Sequence, residues 1–488
     1  MGSGTRTAAQ YNCEHHDAQP NWGAHLQTER AMKSAMLYAL LVILVAGGTV
    51  ASIEAQPPLE LADGYGIHVD AVEQLDARQL HVQVSTAALQ HAVDIRILVP
   101  ADYADTDRSY PVLYLFHGTS GRASDWVNFG DAEQTTAGLP LIVVMPDAGF
   151  NGDGGGWFAN WFNGGAGGQP MWETFHIDQL LPWVDANFRT VANRDGRAVA
   201  GLSQGGFGSL SYAARHPELF TAAAAFSGGC EIDRDAEAIP VATSIIEYTT
   251  LLSGGMDPDA VFGPRATQEL NWQAHDPATL VTNLFGMDIS LWTGNGDPGP
   301  LDHDPDPLAS SIEMITFAAT QLFHGHLEEV GIPSNYHYYG PGTHSFPYWA
   351  RDLREYVGPL MGRFEHPTPP LPSISYLSAA DRWQQWGWSV ALERPAPAFS
   401  QLHNARRSGF ALTGTGTAVV RTPTFYTPHT RVGVFTRGRG YHATSTIAVS
   451  ADGSLQLAVP LSDDATPSTT RVDIYVPHSN PQPRGDGS

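Results

Sequence analysis

The chain has 488 residues, of which 42% are hydrophobic and 10% aromatic, and its formal net charge is −24. This much apolar sequence is sufficient for a large core and for more than one domain. The negative charge argues against nucleic acid and against an anionic membrane surface as partners, because both would repel the protein.

A leader precedes the first predicted domain. Met32 and Lys33 stand ahead of an apolar run over 35–46, and small residues continue to Ala55. This arrangement is typical of a signal peptide. We therefore predict a leader over 1–55, with the native start at Met32 and a product that is secreted or associated with the cell wall. An uncleaved leader would anchor the protein in the membrane, although the apolar run is short for a span.

Residues 56–365 alternate strand-like and helix-like segments, which predicts an α/β domain with a mostly parallel sheet. A glycine-rich loop over 152–168 lacks the Gly-Lys-Ser/Thr of a phosphate loop, so we expect no nucleotide. Trp157, Phe158 and Trp161 in this loop either line a substrate pocket or anchor the loop, and the sequence leaves both open.

The most informative motif is Gly201-Leu202-Ser203-Gln204-Gly205, which follows an apolar run and precedes a helix-like segment. In this context Gly-x-Ser-x-Gly predicts a strained strand-to-helix turn that exposes the serine hydroxyl. Gly201 and Gly205 are needed because strand and helix pass close to each other there. The backbone N–H of Gln204 would then point at an oxyanion formed on the substrate.

A nucleophilic serine requires a base, and His344 is the candidate by its place in a glycine-containing loop after the strand-like 335–339. In the order Ser, acid, His, the acid lies between Ser203 and His344. Asp297 follows a strand-like run, which is the usual position of a triad aspartate. Glu313 lies near the start of a helix-like segment, where it would instead form a capping box with Ser310. The residues alone do not separate the two acids.

The chain resembles the secreted actinobacterial mycolyltransferases and their esterase relatives, a branch of the esterase-D-like α/β-hydrolases. Five stretches in the same order carry the resemblance, over roughly positions 85 to 360. They are Tyr114-Leu-Phe-His-Gly118, Val143-Val-Met-Pro146, Trp172-Glu-Thr-Phe175, Gly201-Leu-Ser203, and Gly342-Thr-His-Ser345 with Tyr348-Trp349.

The resemblance implies an α/β-hydrolase fold and a serine esterase or acyltransferase that uses no cofactor. The mycolyltransferases carry a glutamate a little over thirty residues before the histidine, and Glu313 precedes His344 by 31 residues. In feruloyl-type relatives the acid is an aspartate in the preceding turn, which corresponds to Asp297. The closer resemblance to the mycolyltransferases favours Glu313. Family position also assigns the second oxyanion N–H to Thr119.

The resemblance further implies an ester as substrate, with a cell-wall glycolipid or a sugar as a further candidate substrate or acceptor, and it implies no obligate protein partner. The segment Thr119-Ser-Gly-Arg122 replaces an acidic, arginine-containing segment of the mycolyltransferases, so the resemblance does not extend to trehalose and mycolate specificity.

The competing interpretation is a non-catalytic wall-binding protein on a hydrolase scaffold. The acidic loop around Asp302 lacks the spacing of a calcium loop, and we expect no metal.

The remaining chain changes character after a proline-rich linker at 366–373. Apolar residues alternate over 374–480, which predicts a β-sandwich-like accessory domain. Asp452-Gly453 is predicted to form a hairpin turn between two of its strands. The tail at 481–488 is predicted to be disordered from its composition.

Overall fold

The computed structural model describes residues 59–149, 155–252 and 257–475. The predicted leader at 1–55, the predicted tail at 481–488 and part of the glycine-rich loop lie outside these residues.

The main sheet has nine strands, and its topology is that of the predicted α/β-hydrolase fold. The strands are β1 (Ile67–Gln74), β2 (Gln79–Thr86), β3 (Val93–Leu98), β4 (Val112–Phe116), β5 (Ile142–Pro146), β6 (Arg197–Leu202), β7 (Ala222–Phe226), β8 (Asp288–Thr293) and β9 (Ser334–Tyr338). Their order is β1-β2-β3-β5-β4-β6-β7-β8-β9. The first three are antiparallel to their neighbours, and the last six run parallel. The predicted fold class is therefore confirmed.

Helices follow the strands in the manner of α/β units. The helices are α1 (Asp125–Asn128), α2 (Ala132–Thr136), α3 (Leu181–Asn187), α4 (Gln204–Arg215), α5 (Ile239–Leu252), α6 (Arg265–Gln273), α7 (Pro307–Val330) and α8 (Phe346–Glu365). A π-helical segment, Thr174–Leu180, leads into α3, and short 3₁₀ turns span Asn163–Gly165, Arg194–Gly196 and Val281–Leu284.

The central strands are buried on both faces, because helices cover both sides of a parallel sheet. Every residue of β4, β5, β6 and β7 is buried. Successive side chains of a strand point to opposite faces. Tyr114 and Phe116 therefore join one hydrophobic cluster, while Leu113 and Leu115 join another. The two clusters lie between the sheet and the helices on its two faces. Because β6 to β9 are parallel, the loops at their carboxyl ends lie along the same edge of the sheet.

The C-terminal region consists of two antiparallel sheets around a hydrophobic cluster of their own. The strands are β10 (Ile374–Ser378), β11 (Arg382–Gln385), β12 (Trp388–Glu393), β13 (Ser400–Arg406), β14 (Gly409–Gly414), β15 (Thr417–Arg421), β16 (Arg431–Gly438), β17 (Tyr441–Ala448), β18 (Gln456–Pro460) and β19 (Ser468–Tyr475). One sheet has the order β10-β13-β14-β19-β16-β17 and the other β11-β12-β15-β18.

The predicted hairpin at Asp452-Gly453 is wrong. The turn is present, with Gly453 at a φ of 86°. It joins β17 to β18, which belong to different sheets and pair with β16 and β15 instead. Local turn chemistry predicts a reversal of the chain, but which strands pair depends on packing across the whole sandwich.

The C-terminal sheets are joined to the α/β region by partly buried polar contacts. The side chain of Asn283 donates to Leu377 O at 2.9 Å and accepts from Leu377 N at 2.8 Å. The Tyr376 hydroxyl donates to Arg215 O, at the end of α4, over 2.7 Å. These bonds satisfy backbone groups that the interface would otherwise leave unpaired.

None of the helices within residues 59–149, 155–252 and 257–475 combines the length and the apolar character that crossing a bilayer requires.

Candidate active site

Ser203 lies between the end of β6 and the start of α4, in a backbone conformation that non-glycine residues rarely adopt. Its φ is 52° and its ψ is −122°. Its backbone N–H donates to Phe226 O, at the end of β7, over 2.9 Å. Such strain costs on the order of 1–3 kcal/mol and persists only where the surroundings enforce it. Here the sheet on one side and the helix on the other hold the turn.

The glycines around Ser203 are required by close backbone contacts. A Cβ placed on Gly201 would lie 2.4 Å from Gly205 O, and one placed on Gly205 would lie 2.4 Å from His117 O. Gly118 is confined by side chains, since its Cβ would lie 2.7 Å from Cδ1 of Leu202 and 3.0 Å from the Cβ of Ser203. The 117–119 loop therefore passes directly against the serine.

The two residues predicted to supply the oxyanion hole are adjacent. Nε2 of Gln204 donates to Oγ1 of Thr119 over 3.2 Å. Gln204 is the first residue of α4, where backbone N–H groups lack intrahelical acceptors and favour negative charge. This contact joins the first residue of α4 to the early loop that passes Ser203, and the oxyanion role of the two backbone N–H groups stays a prediction.

His344 is held by Glu313. Its Nδ1 lies 2.8 Å from Oε2 of Glu313, and both side chains are buried, at 8% and 0% exposure. The backbone N–H of His344 donates to Ala309 O at 3.2 Å. The His344 ring also meets the Trp349 ring edge to face, with 4.9 Å between ring centroids. With Nδ1 engaged by the carboxylate, Nε2 is the nitrogen left for proton transfer.

The other oxygen of Glu313 is saturated with donors. Oε1 accepts from Gly294 N at 2.7 Å, from Ser227 Oγ at 2.9 Å and from Thr293 Oγ1 at 3.1 Å. Burial alone would raise the pKa of Glu313, but the hydrogen bonds from His344, Gly294 and Ser227 outweigh it and lower the pKa. Glu313 is therefore ionised near neutral pH despite its burial.

The capping-box interpretation of Glu313 is wrong. Helix α7 begins at Pro307, and its N-cap is Asp306, whose side chain accepts from Leu308 N. Ser310 thus lies within the helix and cannot cap it. The sequence obscures the start of α7, because the start signal Asp306-Pro307 lies in a loop rich in prolines and aspartates.

Asp297 lies apart from His344. It is exposed, and its hydrogen bonds join it to Asn295 in its own turn. A neighbouring acid, Asp302, instead supports the histidine loop: it accepts from Thr343 Oγ1, from Gly299 N at 2.7 Å and from the Tyr348 hydroxyl at 2.8 Å. This role of Asp302 was not predicted from the sequence, although Thr343 and Tyr348 belong to the motif that carries the resemblance.

Ser227 is a second residue that the sequence analysis missed. It directly follows β7, has a φ of 50°, donates to Glu313 and accepts from Nε1 of Trp349 at 3.2 Å. Among the described residues no hydrogen bond joins the Ser203 hydroxyl to His344. In unliganded sites such bonds are often long and tighten only when substrate binds.

Comparison with known proteins identifies the family of the chain. Residues 86–359 match the Esterase family, described as "Putative esterase". The chain belongs to this family. It is 36% identical to Esterase Rv1288 of Mycobacterium tuberculosis over 290 residues, which cover 58% of this chain and 59% of that relative. The chain thus spans somewhat more than half the length of that relative.

Two other members of the group are similar over shorter stretches. The MPT51/MPB51 antigen of Mycobacterium tuberculosis is 30% identical over 49% of this chain and 74% of its own length. The diacylglycerol acyltransferase/mycolyltransferase Ag85C of Mycobacterium leprae is 28% identical over 44% of this chain and 62% of its own. The crystal structure of MPT51 aligns with a TM-score of 0.48 at 23% identity, covering 59% of this chain and 100% of that one.

The aromatic side chains predicted for substrate binding are buried in the core of this esterase-family domain. Trp157 donates from Nε1 to Thr249 Oγ1 at 3.0 Å, and Trp161 donates to Gly156 O at 3.0 Å. Phe158 packs against Phe116, with 4.7 Å between ring centroids and 35° between the ring planes. These contacts favour the anchoring alternative, and substrate binding by the three residues stays a prediction.

Proposed function

We propose that this protein is a secreted serine esterase or acyltransferase that acts on carboxylic esters through Ser203, His344 and Glu313. The observation that carries the proposal is the strained backbone of Ser203 at the carboxyl edge of the sheet. At the same edge, Glu313 forms a hydrogen bond with His344. Membership of the Esterase family supports ester chemistry. The signal-peptide pattern supports export.

The reaction follows from the roles that these groups can play. Nε2 of His344 takes the proton of Ser203 Oγ as the oxygen bonds to the ester carbonyl carbon. The backbone N–H groups of Gln204 and Thr119 stabilise the resulting oxyanion, each by about 3 kcal/mol. When the intermediate collapses, the ester C–O bond breaks and His344 returns the proton to the departing alcohol. Glu313 stabilises the imidazolium throughout.

The acyl-enzyme is then resolved by an incoming hydroxyl. Water gives the free acid, whereas a sugar hydroxyl gives a new ester. The transfer alternative is favoured by relatives whose names are diacylglycerol acyltransferase/mycolyltransferase. A panel of p-nitrophenyl esters of increasing chain length, assayed with and without trehalose, distinguishes hydrolysis from transfer and identifies the preferred acyl length.

The decisive test is Ser203→Ala. We expect kcat for p-nitrophenyl esters to fall by about 10⁶-fold and fluorophosphonate labelling to disappear, with the circular dichroism spectrum unchanged. Ser310→Ala, which replaces a serine within α7, is the control and should keep both the ester turnover and the fluorophosphonate labelling. Labelling that persists in Ser203→Ala would refute the assignment, and an unlabelled, inactive wild type would favour the non-catalytic wall-binding alternative.

Export is tested separately by the N-terminus of secreted material. Cleavage near Ala55 predicts a mature chain that begins close to Gln56. Mass spectrometry that finds secreted protein beginning upstream of Met32 would contradict the proposed leader.

A further inference from the structure

A second cluster of ionisable side chains lies outside the esterase site. It contains Glu231 and Asp235, from the segment that follows β7, and His326 on α7. One oxygen or nitrogen atom from each residue lies within 4.8 Å of the others. Two carboxylates and an imidazole are ligands that divalent metal ions accept in proteins.

Glu231 carries the observation that points to a ligand. Its side chain is buried, with 2% of the residue exposed. Oε1 accepts from the backbone N–H groups of Asp233, Arg234 and Asp235, at 3.2, 2.6 and 3.0 Å. Oε2 has no hydrogen-bond partner among the described residues and lies 3.7 Å from Nε2 of His326. A buried carboxylate oxygen without a partner is costly, and a bound cation removes that cost.

His326 is oriented as a metal ligand would be. Its Nδ1 lies 3.2 Å from Oε2 of Glu329, which in turn accepts from Nη2 of Arg234 at 3.0 Å. Ligating histidines characteristically give their second ring nitrogen to a carboxylate, which fixes the tautomer and the ring orientation. The other nitrogen, Nε2, faces Glu231 and Asp235.

Asp235 completes the cluster from the solvent side. Its Oδ2 lies 2.7 Å from Nε2 of His326, and about a third of its side chain is exposed, at 33%. It lies at the edge of a surface depression of about 410 Å³ that Gln321, Gly325 and Glu329 also line. The cluster is therefore open on one side to ions and to water.

We propose that Glu231, Asp235 and His326 bind a divalent cation of the Zn²⁺ type, with water completing its coordination. Two ligands that each lie about 2.1 Å from one ion can be at most about 4.2 Å apart. The 3.7 Å between Glu231 Oε2 and His326 Nε2 fits this limit. Binding replaces the direct Asp235–His326 contact by two bonds to the ion.

The proposed ion has a structural role. His326 and Glu313 both belong to α7 but are 13 positions apart, about 20 Å along the helix, so the ion lies away from the serine chemistry. It would tie the segment after β7 to α7. No short sequence motif contains these ligands, because they come from positions 231, 235 and 326.

Zinc binding to the full chain tests the proposal. After chelation and dialysis, titration calorimetry should detect one Zn²⁺ per chain, and the melting temperature should rise when Zn²⁺ is added. His326→Gln should weaken Zn²⁺ binding by at least about 100-fold and abolish the rise in melting temperature. His324→Gln, two residues away on the same helix and outside the cluster, should preserve both.

Asp235→Asn provides a second variant at a partly exposed position, for use if His326→Gln does not fold. It should weaken Zn²⁺ binding as well. Undetectable Zn²⁺ binding by the wild type, or unchanged affinity in His326→Gln or in Asp235→Asn, would overturn the proposal. Because calorimetry and melting do not depend on ester turnover, these results are independent of the proposed catalytic function.

Discussion

Two buried glutamates of the same domain, Glu313 and Glu173, each bind a histidine, but their other hydrogen-bond and charge partners differ. Glu313 lies at the carboxyl edge of the sheet and bonds His344 over 2.8 Å. Glu173 lies on the π-helical side of the domain and accepts from Nε2 of His216 at 2.7 Å. Both side chains are at least nine-tenths buried. Residue type, burial and a histidine partner therefore do not distinguish them.

The difference lies in the remaining partners. Within the described part of the chain, the donors to Glu313 other than His344 are all neutral; they come from Ser227, Thr293, Gly294 and Thr316. In the proposed mechanism, its charge therefore remains available to the imidazolium that forms on His344. Such an arrangement suits a carboxylate that must respond to a proton arriving on its neighbour.

Glu173 is instead neutralised by a permanent cation. Arg215 pairs with it through two bonds, Nε to Oε1 at 2.9 Å and Nη2 to Oε2 at 3.0 Å. Burial would raise the pKa of Glu173, but Arg215 and then His216 hold it well below its usual value. The carbonyl of Arg215 also accepts from Tyr376 of the C-terminal region. Glu173 therefore supports the interface between the two regions.

The first prediction tests the active-site member of this pair. Glu313→Gln should lower kcat for p-nitrophenyl esters by at least about 10³-fold, because an amide cannot stabilise the His344 imidazolium. Steady-state kinetics on folded protein measures the loss. Asp297→Asn is the matched control and should lose less than about tenfold. A nearly active Glu313→Gln enzyme beside an inactive Asp297→Asn enzyme would assign the triad acid to Asp297.

The second prediction tests the structural member. Glu173→Gln should destabilise the protein by about 3 kcal/mol, because Arg215, whose side chain is 25% exposed, then lacks its counter-charge. Urea unfolding at pH 7 measures this difference, and kcat at temperatures where the variant is folded should change by less than about tenfold. Equal stability of variant and wild type would show that the pair contributes nothing net.

The pH dependence of stability sharpens the same contrast. Because the folded-state pKa of Glu173 lies below the usual 4.5, its stabilisation is fully present above that pH. It is lost as the pH falls through the lower, folded-state pKa. Glu173→Gln should therefore lose less stability than the wild type between pH 5 and pH 2, roughly the range over which such carboxylates titrate. Parallel acid-unfolding curves for the two proteins would contradict this expectation.

The smallest expected effect concerns the contact that links Arg215 to the C-terminal sheets. Tyr376→Phe removes one hydrogen bond to Arg215 O and should cost about 1 kcal/mol. The carbonyl retains a bond from Nε2 of Gln385 at 3.2 Å, which limits the loss. Thermal unfolding measures the change. A loss of ester activity in this variant would mean that the interface acts on the distant active site.

The sequence by itself determined the fold class and the strand-to-helix turn that contains Ser203. Gly201, Ser203 and Gly205 lie within five consecutive residues. The steric reason for Gly201 is local, because a Cβ there would meet the backbone of Gly205. The alternation of strands and helices likewise determines a parallel sheet, because βαβ connections pack in one way. These features need no knowledge of distant contacts.

Only the tertiary structure decided which acid faces His344. Asp297 and Glu313 both occupy plausible places in the sequence, and their separation depends on how α7 packs against β8 and the histidine loop. The same holds for Ser227 and Asp302, which support the site from other loops, and for the cluster of Glu231 with His326. The physical reason is that hydrogen bonds of buried groups are satisfied across elements, and a linear pattern does not record which elements meet.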